Sequence, residues 1–200
     1  MERWATQELQ YVHLGDERRK KRLIKIVENL AAQPGESIPQ VSGNKAATTA
    51  AYDFWSSPYF QPDDIRNGHI LSTLSRIKEH NLVLAIQDTT DLDFTAHPQT
   101  KGLGYLDHRA LSGLKVHSTM ALSTDGVPLG LLDQQVWVRD IENLGMAKTR
   151  RQRKTQEKES QRWLDSLSST QQLMTPEIQV VTITDAEGDI YDLFSRFASG

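Results

Sequence analysis

Two aspartates, Asp88 and Asp185, have the residue type and the setting that metal-dependent phosphodiester chemistry requires. Each follows a short apolar run, 82–86 and 178–183 respectively. Carboxylate oxygens are ligands that Mg²⁺ and Mn²⁺ prefer, and two such ions about 3.5 to 4 Å apart can activate the attacking oxygen and stabilise the leaving oxygen of an in-line displacement. An aspartate after a strand can also simply cap a turn, and either residue taken singly fits that role equally well.

The elements after residue 81 are predicted to bring these two aspartates together. Their order is strand, strand, strand, helix, strand, and a helical crossover can place the last strand parallel to the first and beside it. Neighbouring strands lie about 4.8 Å apart, so we expect Asp88 and Asp185 at the C-terminal ends of adjacent parallel strands. The predicted strands are 82–86, 114–122, 129–138 and 178–183, with a hairpin turn at Asp125-Gly126 and a helix over 158–173.

The first eighty residues are predicted to be helical. Asp16 is placed to cap a helix over 17–32, and Asn44 is placed to cap a second helix that ends near Phe54. A third helix is expected from Pro62 to about residue 79, and the Ser-Ile-Pro stretch that follows Glu36 is interpreted as a loop. We therefore expect an α/β protein with a helical domain over 1–80 and a mixed-sheet core over 81–200.

The composition excludes several classes of protein. With no cysteine among 200 residues, the chain has neither disulfides nor a thiolate zinc site. No apolar run is long enough for a membrane span or a signal peptide, so a cytoplasmic protein with no membrane partner is expected. The net charge of −3 argues weakly against a nucleic-acid partner. The charge is unevenly distributed, however, since basic residues cluster near the start of the chain and again at 148–154.

The basic clusters are candidate DNA contacts. Arginine and lysine on a helix surface can bind phosphates, and arginine can also read guanine edges. A solvated helix face and a charged surface loop are the alternative interpretations of the same residues. The candidate DNA-binding residues are Arg18, Arg19, Arg22, Lys45, Lys148, Arg150, Arg151 and Arg153.

Two further residue types need an interpretation. His117 lies in the middle of a predicted strand and is expected on the face opposite the apolar side chains, where it either approaches the metal site or DNA or forms an ordinary hydrogen bond. Trp55, Trp137 and Trp163 are interpreted as packing residues.

From about Leu14 to Phe194 the sequence resembles the bacterial cut-and-paste DDE transposases of the insertion-sequence-four type, which include the transposon-five enzyme. The resemblance rests on seven segments that occur in the same order. They are Leu14-Gly15-Asp16-x-Arg18-Arg19-x-x-Arg22-Leu23, Gly43-x-Lys45-Ala46-Ala47-x-x-x-Ala51-Tyr52-x-Phe54, Ile86-x-Asp88-Thr89-Thr90, Val116-His117-Ser118, Trp137-x-Arg139, Glu157-Lys158-Glu159-Ser160-x-x-Trp163-Leu164 and Asp185-x-Glu187-x-Asp189-Ile190.

The resemblance implies an RNase H-like core in which Asp88 and Asp185 are the first two members of the DDE triad and bind two Mg²⁺ or Mn²⁺ ions. It also implies double-stranded DNA as partner, as transposon ends and as target, and a homodimer in the synaptic complex. The family's third acid is a glutamate in a Tyr-x-x-Arg-x-x-x-Glu motif, which these 200 residues lack. We therefore expect an N-terminal portion that cleaves DNA poorly or not at all alone. The family's Asp-Arg-Glu-Ala-Asp segment here has Ala186 in place of arginine.

Two alternatives belong to other functional classes. A non-catalytic DNA-binding remnant could occupy transposon ends and inhibit an intact transposase. A phosphatase with an aspartate nucleophile is a weaker alternative, because that class has a second acid two residues after the nucleophile, where this chain has Thr90.

Overall fold

The computed structural model describes residues 4–140 and 158–197, and side chains through residue 195. The chain divides into two compact units, residues 1–75 and 76–200. Among the described residues, no helix is both long enough and apolar enough to cross a bilayer. The assignment of DNA binding and catalysis to separate domains with a boundary near residue 80 stays a prediction.

The first unit is built from helices. Its core is apolar, and the buried members come from the residues before α2, from α2 and from α4. The helices are α1 (Trp4–Glu8), α2 (Glu17–Ala32), α3 (Ile38–Ser42), α4 (Lys45–Trp55) and α5 (Pro62–Ile77), the last of which continues into the second unit. The buried core residues are Leu9, Val12, Leu14, Leu23, Ile26, Ala51 and Phe54.

Side-chain caps fix where the helices of the first unit begin. Asp16 Oδ1 accepts the Arg18 N–H at 2.7 Å, and Asn44 Oδ1 accepts the Ala47 N–H at 2.9 Å, as the sequence predicted. The loop interpretation of the Ser-Ile-Pro stretch was wrong. Ser37 and Gln40 form a capping box there, and the proline lies in the first turn, where a missing N–H costs nothing.

The second unit contains a mixed sheet of five strands. The strand β3 pairs antiparallel with β1, and along its other edge with β2 and with β4, while β5 pairs parallel with β1. The strands are β1 (Leu82–Asp93), β2 (Gly104–Tyr105), β3 (Ser112–Leu122), β4 (Pro128–Trp137) and β5 (Gln179–Ile183). The predicted hairpin is present, with Gly126 in its turn at φ +80°.

One prediction about the sheet was wrong. Asp88 does not end its strand, because β1 continues to Asp93. The strand β1 is this long because its antiparallel pairing with β3 continues as far as Asp93 opposite Gly113. Its parallel pairing with β5 ends earlier, at Ile86 opposite Ile183. Asp88 therefore lies in the middle of β1, at the point where the parallel neighbour stops.

The helix α6 (Gln161–Leu173) covers one face of the sheet, and α7 (Tyr191–Phe197) packs against α6. Trp163, Leu164 and Leu167 of α6 are buried together with Leu193 of α7. The sheet residues beneath α6 are unusually polar for a buried layer. They include Gln87, His117 and Thr119, all at most 1% exposed. The opposite face of the sheet exposes apolar side chains, namely Met120, Val136, Val181 and Ile183.

Candidate functional site

Asp88 and Asp185 lie on neighbouring chain segments at the same level of the sheet. The parallel ladder pairs Leu82 with Gln179 and continues in step to Ile86 with Ile183. Asp88 and Asp185 each follow this last pair by two residues. Both carboxylates also lie near enough to His117 to act on its pKa. The two acids that the sequence singled out therefore lie just beyond the last pair of the same parallel ladder.

The two carboxylates differ in what they contact. Asp88 is exposed, and no described group forms a hydrogen bond with its carboxylate. Asp185 is exposed as well, but its Oδ1 accepts the Glu187 N–H at 2.8 Å and so caps the 3₁₀ turn Ala186–Gly188. The capping role anticipated for such an aspartate is therefore real for Asp185, although the second oxygen of that carboxylate remains available.

A pair of carboxylates is a partial but chemically suitable site for Mg²⁺ or Mn²⁺. Magnesium commonly keeps several waters and is bound by one or two carboxylates together with substrate phosphates. Within residues 4–140 and 158–197, no group of three or more His, Cys, Asp or Glu side chains is arranged to hold a metal. The donor set therefore fits a hard divalent cation that takes its remaining ligands from water and phosphate.

Behind the acids, on the face covered by α6, runs a chain of hydrogen bonds. Arg162 Nε donates to Thr89 Oγ1 at 2.9 Å, and its Nη2 donates to Glu187 Oε2 at 2.6 Å. Thr89 Oγ1 also contacts His117 Nδ1 at 2.9 Å, and His117 Nε2 lies 3.2 Å from Gln87 Oε1. A continuous polar network thus links β1, β3 and α6 with the turn after β5.

His117 belongs to this network and not to the exposed acid face. Its imidazole is fully buried and meets the ring of Trp163 edge-on at 4.5 Å. Burial, which disfavours the imidazolium, and the nearby Arg162 lower the pKa of His117 to about 4, against the opposing influence of nearby carboxylates. As expected, His117 lies on the face opposite the apolar side chains of its own strand, such as Val116 and Met120, but this is the covered face of the sheet.

A second ion network joins two of the short motifs. Arg139 forms a fork with Glu159, with Nε to Oε1 and Nη2 to Oε2 both at 2.5 Å, and its Nη1 reaches Asp107 at 3.0 Å. These bonds to Glu159 raise the pKa of Arg139. Lys115, which is 7% exposed, lies between Asp91 at 2.6 Å and Asp107 at 3.2 Å. The network stabilises the sheet beside β2 and is not part of the acid pair.

Two of the predicted DNA contacts already have partners within the first unit. Arg18 binds the Asp16 carboxylate at 2.9 Å, in a pair whose arginine is 90% exposed and which therefore contributes little to stability. Arg19 is half-buried, donates to the Leu14 carbonyl at 2.8 Å and lies over the ring of Tyr59. Arg19 therefore holds the entry to α2 in place, whatever else it contacts.

Arg22 and Lys45 are exposed, and no described residue forms a hydrogen bond or an ion pair with either. Arg22 also lines a small cavity between α2, α3 and α4, together with Lys25 and Asn29. The sequence did not single out Lys25 and Asn29 as candidates, although their spacing of three and seven residues from Arg22 places them on the same side of α2. The remaining predicted contacts, Lys148, Arg150, Arg151 and Arg153, lie outside the described residues.

Sequence reasoning also missed Arg162 as a part of the site. Arg162 is the second variable position of the Ser160-x-x-Trp163 segment, so the resemblance gives it no role. An arginine in the first turn of an amphipathic helix is also ordinarily a solvated surface residue. Its partners Thr89 and Glu187 lie on other elements, so no local pattern marks the contact.

Comparison with known protein families identifies the first unit. Residues 1–59, which contain α1 to α4, match the family model described as transposase DNA-binding. The matched region contains Arg18, Arg19, Arg22 and Lys45. DNA is therefore a partner of this chain, and the match supports a transposase.

Proposed function

We propose that the protein is a DDE transposase of the insertion-sequence-four, transposon-five-like type, in which the helical unit binds transposon ends and an RNase H-like core carries out metal-dependent cleavage and strand transfer. The family match over residues 1–59 supports the DNA-binding part. The observation that carries the catalytic part is that Asp88 and Asp185 each lie two residues past the last pair, Ile86 with Ile183, of the parallel ladder between β1 and β5. That match does not favour the alternative of a non-catalytic remnant or inhibitor.

In the proposed mechanism Asp88 and Asp185 hold the divalent cations. A pair of Mg²⁺ or Mn²⁺ ions supplies charge stabilisation and a more acidic bound water, and the acids fix where those effects act on the scissile phosphate. Asp88 contributes a carboxylate to which no described residue forms a hydrogen bond, and Asp185 contributes one that is already oriented by the Glu187 N–H. The order of the reaction is hydrolysis first, followed by attack of the freed 3′ hydroxyl.

These 200 residues supply two of the three acids of a DDE site. With two carboxylates alone, the cations would be held loosely and the reacting oxygens would be poorly aligned. We therefore expect the 200-residue chain to bind DNA but to cleave it poorly.

The metal site is tested by Mn²⁺ binding to the 200-residue chain, measured by isothermal titration calorimetry. Asp88→Asn and Asp185→Asn are each expected to weaken Mn²⁺ binding by at least about tenfold, since each removes one of the two anionic ligands. The matched control is Asp125→Asn, which removes one negative charge from the β3–β4 turn and is expected to leave the affinity unchanged. Equal Mn²⁺ binding by all four proteins would contradict the proposed site.

End recognition is tested by selection from a random 30-base-pair duplex library, followed by fluorescence anisotropy with the selected and a scrambled duplex. Arg22→Ala and Lys45→Ala are each expected to weaken binding about five- to tenfold and to reduce the dependence on salt by about one phosphate contact. The control is Lys78→Ala, an exposed residue outside the matched region. If the selection yields no preferred sequence and every duplex binds equally weakly, the protein does not recognise transposon ends.

A further inference from the structure

A single arginine contacts the surroundings of both aspartates. Arg162, in the first turn of α6, binds Thr89 through Nε at 2.9 Å and Glu187 through Nη2 at 2.6 Å. Thr89 directly follows Asp88 in β1, and Glu187 lies two residues after Asp185. One guanidinium therefore joins the segments that carry the two acids.

The contact with Glu187 connects Arg162 with the turn that orients Asp185. The hydrogen-bonded ladder between β5 and β1 ends at Ile183, so it does not extend to the turn that follows. In that turn the Glu187 N–H donates to Asp185 Oδ1 at 2.8 Å. Arg162 thus holds the side chain of the residue whose amide orients the carboxylate of Asp185.

The guanidinium is itself held from several directions. The Arg162 side chain is 12% exposed, and its Nη1 donates to the Glu159 carbonyl at 2.9 Å. Its guanidinium carbon lies 5.3 Å from the ring centre of Trp163 and 5.8 Å from that of Trp137. A planar group with donors fixed in several directions is suited to hold two segments at a set distance, and lysine cannot reproduce that geometry.

We propose that Arg162 is a positioning residue that sets the separation and orientation of Asp88 and Asp185 for divalent cations; the inference rests on the proposed function. Arg162 acts through Thr89 and Glu187 and is hydrogen-bonded to neither of the two carboxylates. The positive charge of Arg162 lowers the affinity of the site for a cation, whereas the positioning of the two acids raises it. A positive group near a cation site repels the cation, so a purely electrostatic role predicts tighter metal binding when the charge is removed.

The test compares Mn²⁺ binding to the 200-residue chain by isothermal titration calorimetry for the wild type, Arg162→Gln and Arg162→Lys. Both variants are expected to bind Mn²⁺ about tenfold more weakly, because loss of a residue that orients metal ligands typically has this effect. The matched control is Ser166→Ala. Ser166 anchors the same helix through Asp133 Oδ2 at 2.5 Å without contacting the segments of the acids, and its loss is expected to leave Mn²⁺ affinity unchanged.

A further variant keeps the test decisive if the Arg162 variants do not fold, as judged by far-UV circular dichroism. Thr89→Val removes the acceptor for Arg162 Nε without changing any charge, and it is expected to weaken Mn²⁺ binding about threefold. If the Arg162 variants fold and bind Mn²⁺ as tightly as the wild type or more tightly, the positioning role is overturned. If they do not fold, the same result for Thr89→Val overturns it. In both cases Asp88→Asn must still lose Mn²⁺ binding. A wild-type chain that does not bind Mn²⁺, or an Asp88→Asn variant that binds it undiminished, overturns the proposed metal site instead.

Discussion

Replacing Trp163 with alanine is expected to destabilise the second unit by about 3 to 5 kcal/mol, the usual cost of deleting a fully buried large aromatic side chain. Trp163 is 0% exposed and stands at the centre of the contact between α6 and the sheet. Its ring packs edge-on against His117, and the guanidinium of Arg162 lies 5.3 Å from its centre. The substitution would leave a cavity between His117 of the sheet and the apolar residues Leu167 and Leu193.

Native-state hydrogen exchange measures this effect separately from the first unit. The opening free energies of amides in α6 and β1 should fall by about 3 to 5 kcal/mol, because these elements separate only when the contact around Trp163 is lost. The control is Phe194→Ala in the same unit. Phe194 is 58% exposed, so its loss should change the same amides by about 0.5 kcal/mol or less. A loss below about 1 kcal/mol for Trp163→Ala would show that α6 does not depend on this side chain.

Acidification is expected to destabilise the second unit through His117. Its pKa is about 4 in the folded chain against 6.5 for a free histidine, because the buried imidazole resists protonation. Between these values the unfolded chain binds the additional proton. The stabilisation is therefore fully present above about pH 6.5 and is lost as the pH falls toward 4. The full pKa shift corresponds to a loss of about 3 kcal/mol in the free energy of unfolding. We expect a loss of about 2 kcal/mol, because solvent screens the charges that act on His117.

Urea denaturation of the wild type and of His117→Gln at pH 7 and at pH 4.5 isolates this contribution. The charges of Asp88, Asp133, Asp185 and Arg162 all act on the pKa of the histidine. They are common to both proteins, so the difference between the two pH profiles belongs to the imidazole. The wild type should lose about 2 kcal/mol more than the variant over this interval. Parallel profiles would mean that His117 is as easily protonated in the folded chain as in the unfolded one.

Much of the fold could be predicted because the decisive signals are local. Asp16 and Asn44 cap the two helices that they were expected to cap, and the Asp125-Gly126 pair turns the expected hairpin. The parallel pairing of β5 with β1 followed from the order of the elements and is confirmed, so Asp88 and Asp185 lie on neighbouring segments of the chain. Their role as metal ligands stays a prediction.

The errors arose where a distant partner overrides the local pattern. The end of β1 was placed too early because its length depends on pairing with β3, which no residue near Asp88 reveals. Trp55 was expected to pack, yet it is 48% exposed, since amphipathic helices can turn an aromatic side chain outward. Arg162 shows the same limitation within the site itself. Its importance comes from Thr89 and Glu187, which are remote in sequence and become neighbours only in the folded sheet.

The polar layer beneath α6 has a consequence for how that helix can be seated. A helix that packs on an apolar surface can rotate or slide slightly, because one apolar neighbour can replace another. Here Gln135 bonds Ser166 at 2.9 Å, and Arg162 bonds Thr89 at the same distance. If α6 shifted by one helical turn, about 5.4 Å, these donors and acceptors would be buried without hydrogen-bond partners. The helix can therefore pack on the sheet in one position only. Substitutions that preserve the fold at this contact should occur in pairs, one on α6 and one on the sheet.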